Sequence, residues 1–167
     1  MSRRIYWTLP ILLSALFSVN LQAQARFAIY GTGGGEKSGL PNDDWHTAGT
    51  FGFYYGLFHF TPIDLSVDAR GDLSDNIKSG FLGPRVAVKL PIIPIKPYGE
   101  FIFGVSTYSV PSGLPISNDF AYRYVLGLDT TILPHIDWRV ADFSYGINNS
   151  ANGTHAKTLT SGLVVRF

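Results

Sequence analysis

Phe120-Ala-Tyr-Arg-Tyr-Val-Leu-Gly-Leu-Asp129 alternates with a period of two. Phe120, Tyr122, Tyr124, Leu126 and Leu128 share one face, and Ala121, Arg123, Val125, Gly127 and Asp129 share the other. An extended strand separates residues in this way, because its successive side chains point to opposite faces. Ile63-Asp-Leu-Ser-Val-Asp-Ala-Arg70 repeats the division, with Ile63, Leu65, Val67 and Ala69 opposed to Asp64, Ser66, Asp68 and Arg70. The final segment sets Leu159, Leu163, Val165 and Phe167 against Thr158, Thr160, Gly162 and Arg166. Elsewhere the pattern is weaker. Residues 47–60 are aromatic on both faces, and 138–145 alternates only if a bulge follows Val140.

Turn-rich segments of two kinds separate these runs. Residues 33–44, 72–78, 109–118 and 148–155 are long and polar, whereas 60–63, 90–97 and 132–135 are short, apolar and centred on proline. The two kinds alternate along the chain and delimit eight segments of about ten residues, the length of a tilted transmembrane strand.

The faces decide which side is out. A secreted cup has apolar residues inside and charges outside, and a membrane barrel inverts that arrangement. Here the apolar faces are continuous and aromatic, while the polar faces carry small residues and isolated charges, as in Gly83/Arg85/Ala87. A narrow interior favours small residues, and lipid accepts the aromatic face. Composition agrees: of 167 residues only 15% are charged and 14% are aromatic, against roughly 25% charged in a soluble domain. The apolar content excludes a disordered chain, and the absence of cysteine excludes a disulfide or Cys-zinc scaffold. A formal charge of +1 leaves no electrostatic footprint for nucleic acid.

Met1-Ser-Arg-Arg4, an apolar run to Val19 and Ala23-Gln-Ala25 have the layout of a secretory signal peptide. Cleavage is expected after Ala25, with Ala23 as the second choice. The expected organisation is a signal peptide over 1–25 and a barrel over 26–167. Removing Arg3 and Arg4 takes the 13 basic residues to 11, against 12 acidic. No cysteine follows to carry a lipid anchor. The fold expected is all-β: an eight-stranded antiparallel up-and-down transmembrane β-barrel.

Gly83-Pro-Arg-Val-Ala87, Pro97-Tyr-Gly-Glu-Phe-Ile-Phe-Gly104, Pro134-His-Ile-Asp-Trp-Arg-Val140 and Leu163-Val-Val-Arg-Phe167 resemble an uncharacterised branch of the small eight-stranded outer-membrane β-barrel superfamily. The transmembrane domain of outer-membrane protein A is its familiar member. The resemblance spans the mature chain and implies residence in the outer membrane of a Gram-negative bacterium. It implies contact with outer-membrane lipid and lipopolysaccharide, and handling by periplasmic chaperones and the barrel-assembly machinery during biogenesis. Leu163, Val165 and the terminal Phe167 resemble the signal which that machinery reads. The scaffold hosts adhesins, structural proteins and lipid-modifying enzymes, so the resemblance is specific for architecture rather than activity. No peptidoglycan-binding domain is expected.

Candidate chemistry is sparse. Gly31-Thr-Gly-Gly-Gly-Glu36 lacks the sixth glycine and the following helix of a nucleotide-binding loop, and reads as a strand end entering an exposed loop. His46, His59, His135 and His155 have no metal-ligand spacing. Lipid A deacylases of the superfamily carry a His-x-Ser pair, whereas this chain has His46-Thr-Ala, His59-Phe-Thr, His135-Ile-Asp and His155-Ala-Lys. The expectation is therefore a non-catalytic, monomeric barrel without cofactor or metal, with a structural or surface-binding role. A lipid-A-modifying enzyme and a narrow ion-conducting pore are the alternatives. Asn148-Asn-Ser150 and Asn152-Gly-Thr154 read as loop residues rather than glycosylation sites.

The expected inward charges are Asp64, Asp68, Arg70, Arg85, Glu100, Arg123, Asp129, Asp137, Arg139 and Arg166. Unpaired, they would be costly inside a barrel. A turn centred between Ile92 and Ile93 sets Arg85 opposite Glu100. A turn centred on Pro134 sets Asp129 opposite Arg139. One centred near residue 151 brings Asp137 to Arg166. These pairs are expected to be structural, since eight strands leave room mainly for side chains.

Overall fold

Alternation of large apolar and small or charged residues builds eight antiparallel strands: β1 (Phe27–Ser38), β2 (His46–Phe60), β3 (Ile63–Ser74), β4 (Ile77–Val88), β5 (Ile95–Tyr108), β6 (Asn118–Leu133), β7 (Ile136–Asn148) and β8 (Thr154–Arg166). The computed structural model describes residues 27–38, 44–75, 77–90, 92–108, 118–148 and 154–167. The expected signal peptide over 1–25 lies outside them.

Each strand pairs with its sequence neighbours, and β1 pairs with β8 to close the barrel. Closure satisfies the edge groups that lipid would leave without partners. Inward positions are buried alternately, as on β4, where Ile77, Ser79, Phe81, Gly83, Arg85 and Ala87 all face in. Outward positions carry large exposed apolar side chains, among them Phe53, Phe103, Leu126 and Leu163. Inside the barrel, Phe81, Ala87, Tyr98, Ile102, Ala121 and Val125 form one apolar cluster. Ala28, Tyr30 and Val164 form a second, with Tyr54 packed against it.

Close approach between strands requires glycine at several positions, Gly83 and Gly104 among them. A side chain at Gly83 would run into the carbonyl of Phe101, and one at Gly104 into the carbonyl of Gly80. These contacts let β4 and β5 curve tightly around a narrow lumen.

The ambiguous stretches resolve through bulges. β2 alternates with Tyr54 inside and Phe51, Phe53 and Tyr55 outside, then slips against β3 between Gly56 and Phe58, which leaves Leu57 and Phe58 both outward. β7 slips against β8 between Arg139 and Asp142, so both of those residues point inward. A bulge adds one residue and re-aims the side chains beyond it.

The strands run longer than the expected ten residues, from 12 to 16, and this corrects the expected loops. Residues 33–38 belong to β1, so Glu36 is buried in the barrel rather than exposed in a loop. The expected long connection over 72–78 shrinks to residues 75–76, because Asp72 lies within β3 and β4 begins at Ile77. There the Ile77 amide donates to Ser74 Oγ at 3.2 Å across the turn. Most of the other polar connections lie outside the described residues. At the opposite end, residues 61–62 and 134–135 form short turns, and β4 is joined to β5 between Val88 and Ile95. His135 takes a φ of 71° to close the last of them.

Candidate functional site in the barrel lumen

Period-two alternation brings charges from seven of the eight strands, all but β2, into the interior. Because that interior is nearly sealed, their partners lie across it rather than in water. They form three layers.

Toward the long connections, Arg123 of β6 is fully buried. Its Nη1 donates to Asp72 Oδ2 at 2.9 Å and to Thr158 Oγ1 at 3.3 Å, and its Nη2 donates to Glu36 Oε1 at 3.2 Å. The guanidinium lies 4.8 Å from the centre of the Phe81 ring, a favourable cation–π arrangement when desolvated. The Thr50 hydroxyl donates to the other oxygen of Asp72 at 2.7 Å.

The middle layer is a continuous network. Arg70 donates to Glu100 at 2.7 Å and to Asp142 at 3.1 Å. Arg85 donates to Asp129 at 3.0 Å, and its Nε lies 3.2 Å from Glu100. Arg139 donates to Asp129 at 3.0 Å and to Asp142 at 3.3 Å. Tyr30 and Tyr98 donate to Asp68 and Asp142 at 2.7 and 2.5 Å. The Arg85 guanidinium is held between the rings of Tyr54 and Tyr98, 4.3 and 4.2 Å from their centres. Each guanidinium therefore meets at least two carboxylates, and the layer closes the lumen with side chains.

The third layer lies at the short-turn end. Asp137 accepts from Lys96 at 2.8 Å and from Thr131 at 2.8 Å, and pairs with Arg166 Nε at 2.9 Å. Lys89 pairs with Asp64 at 2.5 Å. Beneath this layer a cavity of about 440 Å³ opens at the end of the barrel.

Of the pairs expected from sequence, Arg85 lies opposite Glu100 and Asp129 opposite Arg139 in register. The third register differs: Asp137 faces Val164, not Arg166. The bulge in β7 consumes part of the alignment, and Arg166 reaches Asp137 diagonally from two residues along. Glu36, Asp72, Lys96 and Asp142 also face in and were missed. The first two sit in polar, glycine-rich or turn-like sequence, and Asp142 is turned inward only by the bulge.

His59 stands between Asp64, which its Nδ1 contacts, and Thr61, whose hydroxyl is 3.3 Å from Nε2. His155 Nδ1 lies 2.9 Å from the Tyr145 hydroxyl, with the two rings stacked. Among the described residues no cluster could hold a metal ion.

No family model and no curated protein matches the chain. Solved structures do. Neisserial surface protein A superposes with a TM-score of 0.62 at 14% identity, over 84% of this chain and 97% of its own. The outer membrane enzyme PagL follows at 0.53 and 14%, covering 84% and 99%. Ail, the attachment invasion locus protein of Yersinia pestis, gives 0.50 and 15%, covering 86% and 97%. Identities this low speak for architecture alone. With its closed antiparallel sheet, lipid-suited exterior and charged interior, the chain has the fold of the small eight-stranded outer-membrane β-barrels.

Proposed function

We propose that the chain is exported through a signal peptide cleaved after Ala25 and assembles as a monomeric barrel in the bacterial outer membrane. There it serves as a structural or surface-exposed protein that binds through its long connections. The observation that carries this reading is the lumen: buried ion pairs fill it from wall to wall, which leaves the ends of the barrel for recognition. Similarity of fold to an attachment protein is compatible with that role. Comparison of wild-type and deletion cells tests it. Surface binding should change while lipid A masses and small-solute permeability stay constant, and a changed lipid A with intact binding would contradict it.

This topology places Asn42 and Asn118 outside and Pro62 and Pro134 in the periplasm, because long polar segments cannot rest in hydrocarbon. Single cysteines at these four sites, probed on whole cells with an impermeant maleimide, should label at the two asparagine positions only. Labelling at Pro62 but not Asn118 would invert the model.

Leu163, Val165 and Phe167 are proposed as the assembly signal. The Phe167 amide donates to Phe27 O at 2.8 Å, and its ring lies 5.9 Å from that of Phe27 in a cluster that includes Phe53. Phe167→Ser should lower the heat-modifiable, folded population in cells several-fold at constant expression. An unchanged folded fraction would remove Phe167 from that role.

A lipid-modifying enzyme is the second reading, favoured by the Thr61–His59–Asp64 order of hydroxyl, imidazole and carboxylate. Its location argues against it, since the proposed topology puts Thr61 at the periplasmic end, away from lipid A in the outer leaflet. Mass spectra of total lipid from cells expressing the wild type or Thr61→Val should be identical. A product peak lost in the variant would establish the enzyme.

A further inference from the structure

The cavity at the short-turn end has a particular imbalance of hydrogen-bonding groups. Three carboxylates line it, Asp64, Asp129 and Asp137, and each has both oxygens engaged. Asp64 contacts His59 through Oδ1 and Lys89 through Oδ2. Asp129 takes Arg139 on Oδ1 and Arg85 on Oδ2. Asp137 takes Thr131 on Oδ1, and Lys96 and Arg166 on Oδ2.

The donors that line the same space are not used up. A guanidinium offers five N–H groups and an ammonium three. Arg166 engages only Nε among the described residues, and its side chain is 32% exposed. Arg85, whose side chain is 5% exposed, forms the floor, with Nη2 donating to Asp129 and Nε 3.2 Å from Glu100 but without a hydrogen bond. Lys96 has one partner, Asp137. Donors at a half-open site favour a ligand that brings acceptors, and the three carboxylates lining this one are already engaged. Lys96 and Arg166 share a single carboxylate, Asp137, at the mouth of the cavity.

We propose that this cavity binds a phosphate-bearing ligand, with the phosphate held by Arg166 and Lys96 above Arg85. A phosphate supplies several acceptor oxygens and negative charge, and it fits the guanidinium fork geometrically. The cavity volume leaves room for a body of glycerol or sugar size. The ligand is either a phospholipid headgroup from the adjoining leaflet or a free phosphate ester. Neither source depends on what the long connections bind.

The test uses the full-length mature barrel refolded in a phosphate-free maltoside micelle. Glycerol 3-phosphate is titrated in one arm and phosphatidylglycerol in another, with choline as a cationic control. Arginine side-chain Nε–Hε resonances are followed by NMR. At least one phosphate probe should shift Arg166 and Arg85 saturably and leave Arg123 in the far layer unmoved. Saturation by phosphatidylglycerol alone identifies a headgroup site, and saturation by glycerol 3-phosphate identifies a site for a free ester. Arg166→Gln and Lys96→Gln, each verified as folded by heat modifiability, should weaken binding by about tenfold or more through loss of a charge-assisted contact. The outward-facing Lys157→Gln should bind as the wild type does. No saturable shift with either phosphate, tighter binding of choline, or unchanged affinity in both lumenal variants would overturn the proposal.

Discussion

Arg123→Met should cost about 3–5 kcal/mol of folding stability, the usual penalty for orphaning a buried charge. Arg123 is fully buried, and among the described residues it is the one cation that meets Glu36 and Asp72, themselves 2% and 4% exposed. Methionine retains the packing against Phe81 but leaves two carboxylates facing each other without a counter-charge. Adding Glu36→Gln and Asp72→Asn should recover most of the loss, because the orphans are then neutral. Urea unfolding in lipid vesicles measures both effects. A loss below about 1 kcal/mol would mean that water reaches this layer and solvates the carboxylates.

The Arg85–Glu100 pair should behave differently, because its partners are shared. Arg85→Met leaves Glu100 with Arg70 and Asp129 with Arg139, and Glu100→Gln leaves Arg85 with Asp129. Each single change should therefore cost about 1–3 kcal/mol, nearer an unsatisfied polar group than an orphaned ion. The double variant should cost less than the sum of the two, with a coupling of about 0.5–3 kcal/mol. Urea unfolding of the four proteins in vesicles closes the cycle. Coupling indistinguishable from zero would contradict both the β4–β5 register and the 3.2 Å contact.

The contrast between these two arginines also shows what the sequence could reveal. The strands around Arg85 and Glu100 keep strict alternation to a short apolar turn, so a single assumption about the turn centre places one opposite the other. The fold was legible for the same reason: Ile63–Arg70 and Phe120–Asp129 each state a wet or charged face and a lipid face in a few residues. Arg123 was legible as inward, but its partners were not. Glu36 follows Gly33, Gly34 and Gly35, where glycines replace the apolar residues that would mark a lipid face, and Trp45 packs over Gly35 instead. Asp72 precedes a polar turn and lies two residues short of the strand end. Cross-lumen partners such as Arg123 and Glu36, 87 residues apart, follow from barrel closure, which no local pattern encodes. The offset between Asp137 and Arg166 has a similar origin, since a bulge was expected after Val140 but not carried into the register beyond it.

Closure with the apolar face outward is the claim on which the rest stands, and one NMR experiment reaches both parts of it. The mature chain, deuterated and ¹⁵N-labelled, is reconstituted in lipid nanodiscs. Cross-strand amide contacts between Tyr30 and Val164 report the β1–β8 seam, and contacts to protonated acyl chains report the lipid face. The account predicts the seam, with acyl-chain contacts at Phe53, Leu126 and Leu163 and none at Asp68 or Arg123. Acyl-chain contacts at Asp68 or Arg123, or a β1 strand without contacts to β8, would contradict it.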